Sequence, residues 1–319
     1  MKNIFESKLN FKKALVTGSA GFIGGHLTDS LLKEGYQVMG VDNMYSGLES
    51  TMDLHISYEN FIPKYYDITD ENIEGVFRDF NPDIVFHLAA RPGVAQSVSD
   101  PIGSNYVNVN GTVNMLNLAK KYNTKRFVFS SSSSVYGGTK ELPTRETCVL
   151  DPKSPYALQK KVGEDYCKLF SNIYDLDTVC LRYFNVFGPR QRADSAYAAV
   201  ISAFCDNVKN NTNPIIYGDG EQSRDFCFVE NVVSANILAA TCDAEFSGDV
   251  FNIGCGGRVT VNSICNTLNA KEPIYMPERP GDVKHSQADI SKAENILGYK
   301  PMHSYDDGLM KTLDWYLGK

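Results

Sequence analysis

The sequence has little that would tie the protein to a polymer, a membrane or a metal. Basic residues do not exceed acidic ones: 31 Lys and Arg stand against 38 Asp and Glu, a net charge of −7. A phosphate backbone is gripped through excess positive charge, so nucleic acid is excluded as the expected partner. No apolar run approaches the ~20 residues that cross a bilayer, and the opening MKNIFESKLNFKK lacks the apolar stretch of a signal peptide. None of the eight cysteines (Cys148, Cys167, Cys180, Cys205, Cys227, Cys242, Cys255, Cys265) falls in the first 147 residues, and no C-x-x-C pair occurs. That spacing argues against a zinc site or a disulfide framework, and a cytoplasmic setting with reduced thiols is expected. Repeats, low-complexity tracts and a Ser/Pro linker are also missing. What is present is 319 residues, 43% hydrophobic and 22% charged, enough for one large domain or two that share a core.

The first two-thirds alternates short β-branched runs with longer amphipathic ones. ALVTG, YQVMGVDN, FIPKYYDI, DIVFHLAA and KRFVFSSS read as strands; FIGGHLTDSLLKEG, NYVNVNGTVNMLNLAKKYN and SPYALQKKVGEDYCKLFSNIY read as helices. Near-continuous apolar strands separated by crossover helices predict an α/β fold with a doubly wound parallel sheet. After about residue 184 the rhythm loosens into Gly, Pro and Asn-rich loops. We expect an arm over residues 1–12, a nucleotide-binding domain over 13–184 and a smaller substrate lobe over 185–319. Segments at about 225–254 return to the main domain.

Gly18, Gly21 and Gly24 follow the strand ALVT and open the next helix. Glycines there let the chain turn sharply and let a pyrophosphate approach backbone N–H groups, including those of Phe22 and Ile23, at the helix start. Asp42 ends the second strand, 24 residues after Gly18, where a carboxylate can accept from an adenosine ribose diol. Asn43 follows, with no nearby Lys or Arg to welcome a 2′-phosphate, so NAD is expected over NADP. Tyr156 and Lys160 stand four residues apart on a helix that Pro155 can start, which brings both to one face. A tyrosine of ordinary pKa near 10 is a poor base at neutral pH, and lowering it by ~3 units takes ~4 kcal/mol. A lysine ammonium and the positive ring of oxidised NAD can supply that.

The G-x-x-G-x-x-G spacing, the run F-S-S-S-S-S-V-Y-G and the S-P-Y-A-L-Q-K-K helix together resemble the extended short-chain dehydrogenase/reductase family, with its Rossmann-type sheet. The resemblance implies a hydroxyl partner for the tyrosine at Ser132; with five serines in a row Ser133 is the alternative, and Ser134 a substrate contact. It implies further cofactor contacts at Asp67 and Ile68, at Leu88, Ala89 and Ala90, and at Asn110 and Tyr183. For Asp67 a loop-capping role competes. Dehydratases of this family carry Thr-Asp-Glu before V-Y-G and uronate decarboxylases a Glu; Ser132-Ser133-Ser134 offers no carboxylate, which leaves reversible hydride exchange at one carbinol.

The later motifs L-R-Y-F-N-V-F-G-P-R-Q, A-Y-A-A-V-I, G-D-G-E-Q-S-R-D-F-C-F-V-E-N and R-P-G-D-V-K-H-S-Q-A-D-I resemble the UDP-N-acetylglucosamine 4-epimerases. Carried over, Asn185 holds a phosphate oxygen, Arg224 and Arg279 the diphosphate and Asp282 the uridine ribose. Ile215 to Tyr217 lie against uracil, with Gly93, Ala199 and Val200 also lining the substrate. Ser286 occupies the position that governs sugar size, where a small residue leaves room for an acetamido group. The implied reaction is C4 epimerisation of a UDP-hexose, UDP-GlcNAc/UDP-GalNAc and also UDP-Glc/UDP-Gal. Tightly retained NAD, no metal and a homodimer through two long helices complete the expectation. Arg91-Pro92 departs from those enzymes, and Val261 to Pro273 is shorter than usual. A UDP-glucuronate 4-epimerase is the second reading, disfavoured by F-N-V-F-G where those enzymes read F-T-V-Y-G. An NAD-dependent sugar reductase and a non-catalytic NAD-binding sensor are weaker alternatives.

Overall fold

The computed structural model describes residues 11–193, 200–278 and 283–319. Most of the expected arm, together with Ala199, Arg279 and Asp282, lies outside the described residues. The chain begins β1 (Lys13–Thr17), α1 (Phe22–Lys33), β2 (Gln37–Val41), α2 (Glu49–Ile56), β3 (Phe61–Lys64), α3 (Glu74–Phe80) and β4 (Ile84–His87). Two short helices, α4 (Val94–Ser99) and α5 (Pro101–Asn105), run through a π-helical stretch, Tyr106–Gly111, into α6 (Thr112–Lys121). Then come β5 (Arg126–Ser132), α7 (Pro155–Tyr174) and β6 (Thr178–Tyr183). The remainder supplies β7 (Val186–Phe187), α8 (Val200–Asn210), β8 (Ile215–Tyr217), β9 (Ser223–Arg224), β10 (Cys227–Phe228), α9 (Val229–Thr241) and β11 (Ser247–Ile253). It ends with β12 (Val259–Thr260), α10 (Val261–Thr267), β13 (Ile274–Met276), α11 (Ser291–Leu297) and α12 (Tyr305–Leu317).

Seven strands form one sheet in the order β11-β6-β5-β4-β1-β2-β3, and every neighbouring pair is parallel. The apolar runs that announce these strands are buried because both faces are covered. Leu27, Leu31, Val232, Ile237 and Leu297 pack α1, α9 and α11 on one face; Phe77, Met115, Leu116, Cys167 and Phe170 pack α3, α6 and α7 on the other. A third cluster, with Phe187, Phe204, Phe228, Ile264 and Leu309, holds the lobe built from α8, α10 and α12. Strand order reverses between β1 and β4, and in open parallel sheets the crevice at such a reversal is where ligands sit.

One long helix expected from the sequence is interrupted. Between α5 and α6 the chain widens into the π-helical stretch, at whose end a Cβ on Gly111 would lie 2.5 Å from Ile68 Cδ1. A widened turn shifts the register of side chains around the axis, which bears on Asn110 below. By contrast α7 starts as its sequence predicts: Pro155 takes the first position and Ser154 Oγ accepts from Ala157 N at 3.2 Å. Among the described residues no helix is long and apolar enough to cross a membrane.

Candidate functional site

The turn after β1 is held open by close backbone packing. Gly18 sits at φ +75°, donates to Val41 O at 2.8 Å and accepts from Gly21 N at 3.0 Å. A Cβ on Gly18 would come within 2.9 Å of Ala89 N, so the turns after β1 and β4 touch. No side chain caps the start of α1 and none of its first-turn residues is acidic, which leaves the positive helix end open to an anion.

This turn forms one wall of a cavity of about 740 Å³. Gly18, Gly21, Phe22, Ile23 and Gly24 line it on the β1 side; Asp42, Asn43 and Ile68 line it beyond β2 and β3. Leu88, Ala89, Ala90 and Gly93 come from the loop after β4, and Tyr156, Lys160 and Tyr183 close the far end. Asp42 is 8% exposed; its carboxylate accepts from Ala20 N at 3.0 Å and Met44 N at 2.8 Å. Burial raises its pKa against the pull of those two bonds. Asp67 behaves as a loop cap, accepting from Thr69 N and Oγ1 at 2.9 and 2.6 Å and from Asn43 Nδ2 at 2.6 Å, while Tyr66 and Ile68 form the wall. Burial works against its ionisation, but these bonds and the nearby Arg91 charge hold its pKa low.

Asn110, expected at the cofactor, is corrected by the π-helical register. It is exposed, whereas Val107 lines the cavity. Asn108 turns inward, accepting from Arg91 N at 2.7 Å and donating to Arg91 O at 3.1 Å, so it fixes the loop after β4. Arg91 itself stacks on Tyr45 at 4.8 Å and pairs with Asp100 at 3.0 Å. His87, at the end of β4, is another residue the sequence left unmarked. It sits between Thr17 Oγ1 at 2.8 Å and Thr112 Oγ1 at 3.0 Å and is kept neutral, its pKa lowered to about 3 by burial and then by the charge of Lys160.

The serine run resolves into separate tasks. Ser130 Oγ lies 2.9 Å from the Tyr183 hydroxyl, which donates to Asn236 Oδ1 at 2.9 Å. Ser131 Oγ donates to Glu164. Ser132, the last residue of β5, accepts from Ser134 N at 3.2 Å, and its hydroxyl is near enough to Tyr156 to draw the phenol's pKa down. Ser133 begins the turn that follows, and Ser134 Oγ is buried without a hydrogen-bond partner. Burial pushes the Tyr156 phenol up to about 12 against this pull from Ser132. Lys160 Nζ donates to Ser130 O at 2.7 Å and stands 5.9 Å from the Tyr156 ring centroid. Burial lowers its pKa to about 8, so it carries its proton through neutral pH.

A second group forms in the lobe. Asn185 Nδ2 donates to Ser286 Oγ at 3.2 Å and to Asp225 O at 3.0 Å, joining residues 101 positions apart. Arg224 on β9 donates from Nη1 to Ser223 O and Lys284 O, both at 3.0 Å, and Ser286 N donates to Ser223 O at 3.0 Å. Ile215 and Tyr217 lie on β8, tied to this region by Gln222 Nε2 donating to Tyr217 O at 2.8 Å; Val200 opens α8. Asn185, Arg224 and Ser286 thus gather around Ser223, and none of these lobe residues is on the wall of the 740 Å³ cavity.

Arg190 lies in the L-R-Y-F-N-V-F-G-P-R-Q motif but had no role assigned from the sequence. It lines the cavity at φ +66° and donates from Nη2 to Asp29 Oδ2 at 2.6 Å. Its Nη1 is buried without a hydrogen-bond partner. An orphaned guanidinium donor, an uncapped helix start and a buried acceptor at Asp42 suit a dinucleotide: pyrophosphate near the first two, ribose near the third.

Residues 14–254 match the NAD dependent epimerase/dehydratase family. A solved UDP-N-acetylglucosamine 4-epimerase from Methanobrevibacter ruminantium, in complex with UDP-N-acetylmuramic acid, is 40% identical with a TM-score of 0.91, covering 97% of this chain and 99% of that one. The solved UDP-glucuronic acid 4-epimerase of Bacillus cereus, with UDP-glucuronic acid and NAD, is 32% identical with a TM-score of 0.88, covering 95% and 98%. A UDP-glucose 4-epimerase of Mycolicibacterium smegmatis is 36% identical over 96% of this chain and 99% of its own length.

Proposed function

The chain belongs to the NAD dependent epimerase/dehydratase family, and from that premise we propose that it inverts C4 of UDP-GlcNAc and UDP-GalNAc, with UDP-Glc and UDP-Gal as further substrates. At the coarser level it is an NAD-dependent UDP-sugar 4-epimerase. The observation that carries the reading is the set of groups around Tyr156. Ser132 supplies a hydroxyl, Lys160 a cation, and the carboxylate behind them, Glu164, is committed to Arg182 and Ser131. Elimination or decarboxylation needs an acid or base free to act beside the sugar; proton exchange at one hydroxyl needs only Tyr156.

NAD, when bound, would supply a reversible two-electron acceptor for hydride at C4. The glycine turn, the start of α1 and Asp42 would hold its diphosphate and ribose. Tyr156 takes the proton of the C4 hydroxyl as C4 becomes a ketone, and returns it to the same oxygen once the 4-keto sugar has turned over and C4 is reduced on its other face. Ser132 lowers the phenol's pKa, and Lys160 adds a positive charge to the phenolate side. Asn185 and Arg224 face the nucleotide's phosphates in this reading, and Ser134 Oγ is a donor still to be matched by substrate.

The sugar preference rests on Ser286, a small side chain bonded by Asn185. Incubation with UDP-GlcNAc, UDP-Glc and UDP-GlcA without added NAD, followed by separation of C4 epimers, tests it. Turnover of UDP-GlcA alone would transfer the assignment to the uronate reading. Ser286→Tyr should lower kcat/KM for UDP-GlcNAc on the order of 10²-fold and spare UDP-Glc, because a pocket one group too small rejects by overlap. Equal losses on both sugars would remove Ser286 from the specificity role.

A homodimer is part of the same proposal. Val98, Ile102 and Tyr106 are exposed along α4, α5 and the π-helical stretch, and Leu158, Leu169 and Ile173 along α7 beside them. Ile102 is 85% exposed, and six large apolar side chains on adjoining helices form a patch fit for a second copy. Sedimentation should show a dimer that Ile102→Glu weakens; a wild-type monomer at micromolar concentration would end this part of the proposal.

A further inference from the structure

Behind the catalytic groups lies a buried ion pair that proton exchange at C4 does not use. Glu164, on α7 one turn beyond Lys160, is 5% exposed; Arg182, on β6, is 3% exposed. The guanidinium grips the carboxylate at both ends, Nε to Oε1 at 2.8 Å and Nη2 to Oε2 at 2.7 Å. Oε1 also accepts from Ser131 Oγ at 2.5 Å. On its other side Arg182 Nη1 donates to the Tyr136 hydroxyl at 2.7 Å, and Tyr136 donates to Asn252 Oδ1 at 2.7 Å. Burying such a pair costs about as much desolvation as its attraction returns, so stability alone accounts for it weakly.

Its neighbours give it a use. Ser131 is flanked by Ser130, whose carbonyl receives Lys160 Nζ at 2.7 Å, and by Ser132, whose hydroxyl lies near enough to Tyr156 to pull the phenol's pKa down. These three residues are the last of β5, where strand pairing ends and the backbone passes into a turn. We infer that Glu164, held by Arg182, is a positioning residue: through Ser131 it sets the end of β5 so that Ser130 and Ser132 meet Lys160 and Tyr156, and it places a carboxylate behind Lys160. The inference rests on the epimerase reading and extends it to groups that touch neither substrate nor cofactor.

The electrostatics run the same way. Burial lowers Lys160, and the charge of Glu164 is among the influences that raise it again. The titratable groups around Lys160 are Tyr156, Glu164 and Cys167 on its own helix, His87 on β4, and Cys180 and Tyr183 on β6. Glu164 is the carboxylate among them.

Ser131→Ala removes one hydrogen bond and leaves the ion pair in place, so it should fold. Measured beside wild type on UDP-GlcNAc and UDP-Glc, its kcat should fall about tenfold, the worth of one charge-assisted bond, with KM little changed. With Ser132 less well placed, the acid limb of its kcat profile should move to higher pH. The Tyr156 phenolate should titrate higher too, read as the ultraviolet absorbance difference between each protein and its Tyr156→Phe derivative. Glu164→Gln should in addition move the alkaline limb to lower pH, since Lys160 loses its carboxylate. Unchanged limbs and an unchanged phenolate titration in Ser131→Ala, even with a lower melting temperature, would overturn the inference and leave a purely structural ion pair. If Glu164→Gln does not fold, Ser131→Ala decides alone. If wild type turns over no UDP-sugar, the epimerase reading fails by itself, and the phenolate titration still decides whether Ser131 positions Tyr156.

Discussion

Tyr156→Phe should fold, keep NAD and lose about 10²- to 10⁴-fold in kcat, the range one positioned acid–base group contributes. The backbone N of Tyr156 donates to Ser97 Oγ at 3.0 Å, a bond that does not involve the phenol oxygen, so the ring stays in place when only the hydroxyl is removed. Nucleotide binding should persist, because Asn185 and Arg224 lie in the lobe and do not depend on that oxygen. The pH profile adds a sign. Lys160 is lowered to about 8 by burial; its charge is present below that pH and lost above it. Phenolate stabilisation should therefore weaken, and wild-type kcat fall, as pH rises through about 8. Tyr156→Phe should have no such limb, since it has no phenolate to stabilise. A variant with wild-type kcat, measured by separating the C4 epimers, would remove Tyr156 from the reaction.

How much of this was legible in the sequence depended on whether a feature is local. The glycine turn, Asp42, and the pair Tyr156 and Lys160 each lie within one strand end or one helical turn, and spacing alone brings them together. Ser132 was chosen by resemblance with Ser133 as the alternative, because among five serines the register depends on where β5 stops pairing, and that is decided by its neighbours β4 and β6. Asn110, carried over by resemblance, is exposed, because in the widened stretch Val107 and Asn108 take the inward positions. Arg190 was left without a role for a different reason. Its partners His26 and Asp29 are on α1, more than 160 residues away, and burial keeps His26 at a pKa of about 4 with the Arg190 charge adding to the effect. The contact between Asn185 and Ser286 is equally non-local; both residues were marked by resemblance, but their hydrogen bond is a product of the fold.

Gly24→Ala should cost the protein its cofactor. A Cβ at Gly24 would lie 2.0 Å from Gly18 O and 2.8 Å from Gly18 C, and both are backbone atoms that no rotamer change can move. Gly18 has no room to retreat: its φ of +75° is fixed by the turn, its N–H is bonded to Val41 O, and Ala89 N stands behind it. The start of α1 must therefore swing away from β1. Overpacking of this kind costs about 1–3 kcal/mol of stability, which a fold with apolar layers on both faces of its sheet can absorb. The larger effect falls on the ligand, because a diphosphate bound by backbone N–H groups depends on tenths of an ångström in their placement. The variant should emerge from purification without NAD and with no epimerase activity, while its far-ultraviolet circular dichroism stays that of wild type. Gly257→Ala is the matching control, since a Cβ there meets nothing within 4 Å. Retention of NAD by Gly24→Ala at the wild-type level, read from the absorbance of acid-released nucleotide, would mean that the dinucleotide is not held at this turn.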